Sequence, residues 1–524
     1  MTSSPAPQTA APDRPEHSWW TLIVVSGAMF MLLVDVMIVQ VALPTIQRSL
    51  GATFSDLEWV ISGYALALAA LILTSGTLAD RFGRKRVFVI GLVVFTVASL
   101  LCGLANSAAF LIAARALQGV GGAALFATSL ALIGQEYRGR RLVTAIAVWG
   151  SVTGGGVSMG PLVGGVLTTA LGWRWIFFVN LPIGAVTLAL TLMRVVNVRD
   201  PQAKRLDWAG LLTFSSGLFL LVFGLVRGND DGWSSPTVLG AMVAAVILLI
   251  AFAAIEARQR YAMFDLQLFR KPAFTGVSIA TFAIAAGMFA MLIYITLYLQ
   301  NVLGYTPLEG GLRLLPATLL IFIVPLASRR FTERVPPGLP LGGGMLLVGA
   351  GLLLMRAMVG LNTDWTALLP GLLVVGFGVG FANPAIGQIA LRVVPPQRSG
   401  MASGISNTFR VAGLSCGVAA LGAIFQQSVA SSLTTSIGAA HAGLSRVVVA
   451  AGPQAAAAAA HGQPGTPAAA RAAFVSGLEL LLVVGAVVVL VGAAATVMVR
   501  RRDFQARQAP ALPQPEATPE PVRT

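Results

Sequence analysis

Positions 76–86 read Gly76-Thr77-Leu78-Ala79-Asp80-Arg81-Phe82-Gly83-Arg84-Lys85-Arg86, five charged side chains set between an apolar run at 57–79 and another at 87–105. Two runs of about 20 apolar residues joined by a short charged stretch are two membrane-crossing helices and their connecting loop. The pattern continues outward in both directions. Runs at 20–43, 108–133, 142–169, 175–193, 207–227, 236–255, 273–300, 308–327, 338–358, 366–391, 399–427 and 474–499 complete fourteen spans. Of the 524 residues, 56% are hydrophobic and 10% charged, against roughly 25% charged in an average soluble protein. A large globular catalytic domain is excluded, and the expected fold is all-α and integral to the membrane, with 14 transmembrane helices.

An even number of spans puts both termini on one side, and Lys and Arg should mark the cytoplasmic one. With the N-terminus inside, 26 of the 35 basic residues fall in inner segments, among them Arg81, Arg84, Lys85 and Arg86, Arg138, Arg140 and Arg141, and Arg500 to Arg502. Six fall at outer ends: Arg48, Arg174, Arg227, Arg356, Arg446 and Arg471. Both termini are therefore expected in the cytoplasm, with the chain multi-pass in a bacterial inner (cytoplasmic) membrane. The net charge of +15 is carried by too few residues to cover a nucleic-acid face, so the partner expected for it is membrane lipid.

The loop Gln135-Glu136-Tyr137-Arg138-Gly139 between spans 4 and 5 has a counterpart, Pro395-Pro396-Gln397-Arg398-Ser399-Gly400, between spans 12 and 13. A six-helix unit repeated once, with spans 7 and 8 inserted between the copies, gives that offset and is the two-bundle plan of secondary transporters. The expected organisation is a tail at 1–19, a first bundle at 20–196, the inserted pair with its loops at 197–271, a second bundle at 272–500 containing an Ala-rich outer loop at 428–473, and a tail at 501–524.

An ionisable side chain inside a span costs several kcal/mol unless it faces water or a partner. Asp35 interrupts the run Met29-Phe30-Met31-Leu32-Leu33-Val34. At 1.5 Å rise per residue it lies about 12 Å from the outer end of span 1, and Arg115 lies about 12 Å from the outer start of span 4. The two share a depth, where burial and a neighbouring guanidinium pull a carboxyl in opposite directions and can poise it for proton exchange. A permanent structural ion pair would account for the same residues. Arg410 in span 13 and Glu479, the other acid placed within a span, are secondary charge sites: Arg410 for a helix contact or an anionic group, Glu479 for the outer interface or a second proton. In the 76–86 loop, the glycines permit a tight turn and close approach, Asp80 can meet a helix N-terminus, and the basic cluster can bind anionic lipid or a facing acid. Span 5 carries Gly150, Gly154, Gly156, Gly160-Pro161, Gly164 and Gly165, spacings that let helices pack closely around a proline bend.

Enzyme chemistry finds no support. The G-x-S-x-G match at Gly156–Gly160 lacks a strand and a histidine partner, since His17, His441 and His461 lie in a tail and an outer loop. No phosphate-binding G-x-x-x-x-G-K-[ST] loop occurs, Cys102 and Cys416 sit in apolar runs as small buried residues, and no cofactor or metal is expected.

Together these segments resemble the fourteen-spanner drug:proton antiporter branch of the major facilitator superfamily. Gly76 to Arg86 is similar to its signature loop, Arg115-Ala116-Leu117-Gln118-Gly119 to its span-4 motif, and Gly160-Pro161 with Gly164-Gly165 to its antiporter motif. Leu33-Val34-Asp35 with Val41-Ala42-Leu43-Pro44, Trp173 to Gly184, Leu206 to Gly210 and Asn407-Thr408-Phe409-Arg410 resemble further segments of the branch. Met37 and Gln40 depart from it, standing where Thr and Asn are usual. The resemblance implies a proton-coupled antiporter exporting lipophilic drugs or antibiotics by alternating access, with the proton as coupling ion. Asp35 would be the proton site and Arg115 its modulator, and Gly76, Asp80, Arg81, Gly83, Arg84, Gly160 and Pro161 would serve conformational switching. The substrate would be lipophilic, with cationic charge and the need for a periplasmic adaptor left open. Aromatic side chains such as Phe30, Trp59, Phe289 and Tyr294 would wall the cavity or else pack. A proton-coupled importer of a small metabolite and a non-transporting receptor or scaffold are the alternatives.

Overall fold

A computed structural model of the protein describes residues 19–137, 139–196, 207–259, 264, 266–328, 334–393, 399–437, 444–445, 447–449, 452–453 and 466–499. Fourteen long helices account for nearly all of them: α1 Trp20–Leu50, α2 Phe54–Phe82, α3 Arg84–Gly103, α4 Ala108–Glu136, α5 Gly139–Ala170, α6 Trp175–Arg194, α7 Trp208–Asp231, α8 Pro236–Arg258, α9 Pro272–Val302, α10 Pro307–Ala327, α11 Gly338–Met358, α12 Leu369–Arg392, α13 Ser399–Ile437 and α14 Thr466–Met498. Helices satisfy their own backbone groups, which is why they can cross a lipid phase. The large apolar side chains left on the surface, such as Ile90, Val93 and Val97 on α3 and Val243, Ile247 and Ile250 on α8, suit that solvent.

Successive helices reverse direction, so α1 begins and α14 ends on the same side, the terminal face; the other side is the distal face. The turns are tight. Gly83, at φ +103°, both ends α2 and starts α3, a single-residue link in a conformation that only glycine adopts without strain. On the distal face Thr53 and Thr306 open α2 and α10 with capping boxes closed by Asp56 and Glu309, which satisfies backbone donors that a helix start leaves free.

α1 to α6 pack among themselves as one bundle and α9 to α14 as a second, the two-bundle plan expected from the repeated loop. α7 and α8 form an inserted hairpin lying against α2 and α13, with Trp59 of α2 packed on Phe219 and Phe223 and Asn229 donating to the Ala423 carbonyl at 2.6 Å. Three helices differ from the run-based reading. α13 continues to Ile437 and α14 begins at Thr466, so the expected outer loop at 428–473 shrinks at both ends; the Ala455–Ala460 tract lies outside the described residues. α9 contains two π-turns, Ala285–Phe289 and Tyr298–Val302, local insertions that no hydropathy pattern reveals.

α5 is wedged between the bundles. Toward α1, a Cβ on Gly156 or Gly164 would stand 3.2 Å from the Phe30 carbonyl or 3.0 Å from that of Ile38, and one on Gly160 would overlap Met37. Toward α10, a Cβ on Gly165 would lie 2.7 Å from Leu308 Cα, and one on Gly311 would overlap the Pro161 carbonyl. Gly160 and Pro161 thus lie at a contact between helices of both bundles. Distal contacts across the seam also include Leu308 N donating to Thr169 Oγ1 at 3.2 Å and Gln300 Nε2 donating to the Val41 carbonyl at 2.8 Å.

Candidate functional site

Asp35 sits midway along α1 and is wholly buried; Arg115 of α4 is 2% exposed. The structure brings them into contact, Arg115 Nη1 lying 2.6 Å from Asp35 Oδ2. Helix rise alone predicts this pairing, because both residues lie at one depth. What the sequence did not single out is the shell around it. Gln118, one turn after Arg115 and on the same face, donates through Nε2 to Asp35 Oδ1 at 2.9 Å and to Ser99 Oγ at 2.7 Å. Asn180 of α6 donates to Asp35 Oδ1 at 2.8 Å and to Ser99 Oγ at 3.2 Å. Arg115 also donates to Gln118 Oε1 at 2.7 Å and, through Nε, to the Val60 carbonyl of α2 at 3.3 Å, while its guanidinium lies 4.2 Å from the centre of the Tyr64 ring. Cys102 Sγ completes the cluster, 3.7 Å from Gln118 Oε1.

Two buried charges each cost several kcal/mol to desolvate, and only close geometry with further hydrogen bonds offsets that cost. Here Asp35 accepts three N–H donors from two other helices, an arrangement suited to a carboxylate anion. A proton arriving on Asp35 would cancel the charge that holds Arg115, leaving the guanidinium to Gln118, Val60 and the Tyr64 ring. Gln118 and Asn180 carry no charge and so escape a search for intramembrane ions, although each falls in a motif segment quoted above.

The remaining expected residues are dispersed. Arg84 Nη1 donates to the Ala131 carbonyl at 2.9 Å and Lys85 Nζ to that of Leu192 at 2.9 Å, near the C-terminal ends of α4 and α6, where cations complement the helix dipole. Arg81 is exposed and lies over the Phe82 ring. Gly83 provides the turn, but Gly76 sits within α2 with nothing within 4 Å of an added Cβ, so close approach is not its role. The Asp80 side chain lies outside the described set. Arg410 is half-buried on α13 with no hydrogen bond or ion pair among the described residues. Glu479, 30% exposed, pairs with Arg356 of α11 at 3.5 Å. Of the aromatic residues, Tyr294 is packed fully inside α9 with its hydroxyl on the Val418 carbonyl at 2.9 Å, and Trp59 leans on the inserted hairpin.

A further acid is buried within a span. Glu58, the second residue of the 57–79 run, is 3% exposed within α2, so Glu479 is not the other acid of the spans. A carboxylate inside an apolar run, immediately before Trp59, was the signal available. At the distal rim, Tyr305 donates its hydroxyl to Asp364 at 2.5 Å, which holds that carboxyl below the usual carboxylate range, and Arg313 stacks 3.5 Å from the centre of the Tyr305 ring.

The family model of the Major Facilitator Superfamily matches residues 25–418. The chain belongs to that superfamily and is a multi-pass membrane transporter. Among curated relatives, the multidrug resistance protein Stp of Mycobacterium tuberculosis is 37% identical over 406 residues, covering 77% of this chain and 75% of Stp. The tetracenomycin C resistance and export protein of Streptomyces glaucescens is 32% identical, covering 95% of each chain. Among solved structures, a bacterial homologue of the human lysosomal transporter Spinster, in an inward-facing and unoccupied conformation, matches with a TM-score of 0.62 at 18% identity over 94% of this chain and 98% of its own, a likeness of fold.

Proposed function

We propose that the protein is a proton-coupled antiporter that exports lipophilic drugs or antibiotics from the cytoplasm or inner leaflet, working by alternating access. The observation that carries the coupling is the buried Asp35 with its three donors. A proton is the smallest ligand able to change that network, and a ligand shifts a conformational equilibrium only through interactions that differ between its states. Resistance and export proteins among the relatives support drugs or antibiotics as the substrate class. The apolar pocket walls of such a carrier would select weakly. The excess of Lys and Arg on the terminal face supports cytoplasmic termini in the inner membrane of a bacterium, which makes the distal face the exterior.

The reading is tested in a pump-deficient bacterium expressing the chain or its Asp35→Asn variant. The wild type should raise the inhibitory concentration of at least one lipophilic antibiotic, and Asp35→Asn should return it to the vector level. Uptake of those compounds, or a variant as protective as the wild type, would refute the proposal. Fusion of a reporter after Arg502 should remain cytoplasmic.

A further inference from the structure

Glu58 stands in the second turn of α2, at its distal end, and meets α13 across the seam between the bundles. It faces Gly422, where any Cβ would overlap Glu58 Oε1. Neither carboxyl oxygen has a hydrogen-bond partner among the described residues. The cavity beside it measures about 10 Å³ and is walled by Leu43, Phe54, Ile61, Ile293, Leu297 and Val418, which leaves room for one water molecule at most. Two other titratable groups face it: Tyr294 of α9, whose hydroxyl is committed to the Val418 carbonyl, and Asp230 near the distal end of α7. No basic side chain forms an ion pair with it among the described residues. Asp35, a helix away and equally buried, is saturated by donors; Glu58 has burial, a second acid nearby and nothing to compensate its charge.

A bare carboxylate anion in apolar surroundings is far more costly than the neutral acid, and a nearby acid adds to that cost. The location gives this protonation a consequence. Elsewhere on the distal side the seam carries the Gln300 to Val41 and Leu308 to Thr169 contacts, which also join the two bundles and must part if the distal face opens.

We infer that Glu58 is a second proton-binding group of this transporter, a distal gate acid that is neutral while the seam is closed and loses its proton when the seam opens. In the opening step the Glu58 O–H bond breaks, the proton passes to water entering the parted seam, and the carboxylate becomes hydrated. Closure requires a proton to return before α2 and α13 can meet again. The inference rests on the proton-coupled reading above and adds to it a second titrating site, where α2 meets α13.

The test uses the full chain in lipid nanodiscs and needs no transported substrate. Infrared difference spectra should show a protonated carboxyl band at neutral pH that disappears in Glu58→Gln and returns, shifted, in Glu58→Asp. In parallel, spin labels at Leu171→Cys and Thr434→Cys, on a Cys416→Ser background that keeps the fully buried Cys102, report the distal distance. That distance should lengthen with rising pH in the parent, stay short in Glu58→Gln, and regain pH dependence in Glu58→Asp. An unchanged carboxyl band in Glu58→Gln would show that Glu58 is ionised and overturn the inference. So would a Glu58→Gln protein whose distal distance follows pH as the parent does. Failure of the coupling proposal is separately visible: full transport by Asp35→Asn would refute that reading while leaving the Glu58 band and the distal distances in place.

Discussion

The interior of the first bundle and the seam between the bundles each bury one acid, on neighbouring helices, and treat it in opposite ways. Asp35 accepts three N–H donors, one of them from a guanidinium, whereas Glu58 accepts nothing among the described residues. Burial alone therefore says little about what an intramembrane acid does. A saturated carboxylate must have its donors disturbed before it can take a proton. A bare one is at rest as the acid and must be reached by water before it gives a proton up. A cycle containing both would have one group waiting to gain a proton and another waiting to lose one.

The sharpest way to break this comparison is Asp35→Asn, which keeps the shape and removes the charge. Gradient-driven accumulation of a fluorescent lipophilic cation in inverted vesicles should fall to background. A single charge crossing 100 mV is worth about 2.3 kcal/mol, and the variant has lost the group proposed to carry it. Next in size is Gly422→Ala, which forces a methyl group against Glu58 Oε1. Export should drop several-fold, and thermal unfolding in detergent should register an overpacking penalty of about 1–3 kcal/mol.

A smaller effect sharpens the contrast by making Asp35 more like Glu58. Asn180→Leu removes one of the three donors to Asp35 and one of the contacts that tie Ser99 into the cluster. Gradient-driven export should fall about two- to fivefold, equivalent to roughly 0.5–1 kcal/mol for one lost hydrogen bond; export unchanged from wild type would contradict the role given to this donor. Smallest of all is Glu479→Gln, which breaks only a half-exposed pair with Arg356 worth about 0–1 kcal/mol. Transport should stay within about twofold of wild type, and a larger loss would restore Glu479 as a coupling candidate.

The two acids also mark the boundary of what the sequence discloses. Spans, inserted hairpin and repeated bundle are legible because a lipid phase imposes a length and a polarity on every crossing segment. The Asp35 and Arg115 pairing is legible because two charges in two long helices can be placed by depth. Gln118, Ser99 and Asn180 are not, since an uncharged polar side chain in a helix has many satisfactory outcomes and only tertiary packing selects one. Glu58 was hidden differently: it sits where an apolar run begins, and a run judged by its average absorbs one charge at its edge. Gly76 and Gly83 show the same limit from the other side. The same residue type, seven positions apart in one motif, is unconstrained at the first position and required by a φ of +103° at the second.

The Arg115 Nε bond to the Val60 carbonyl, at 3.3 Å, already lies just beyond the usual 2.7–3.2 Å range for such bonds. Val60 is two residues from Glu58 on α2. A shift of α2 by less than an ångström, away from α4, would take this bond out of reach, so the guanidinium acts as a gauge of where that helix stands. Any influence it transmits runs both ways: if moving α2 changes how readily Asp35 binds a proton, then binding that proton changes the position of α2 by the same free energy.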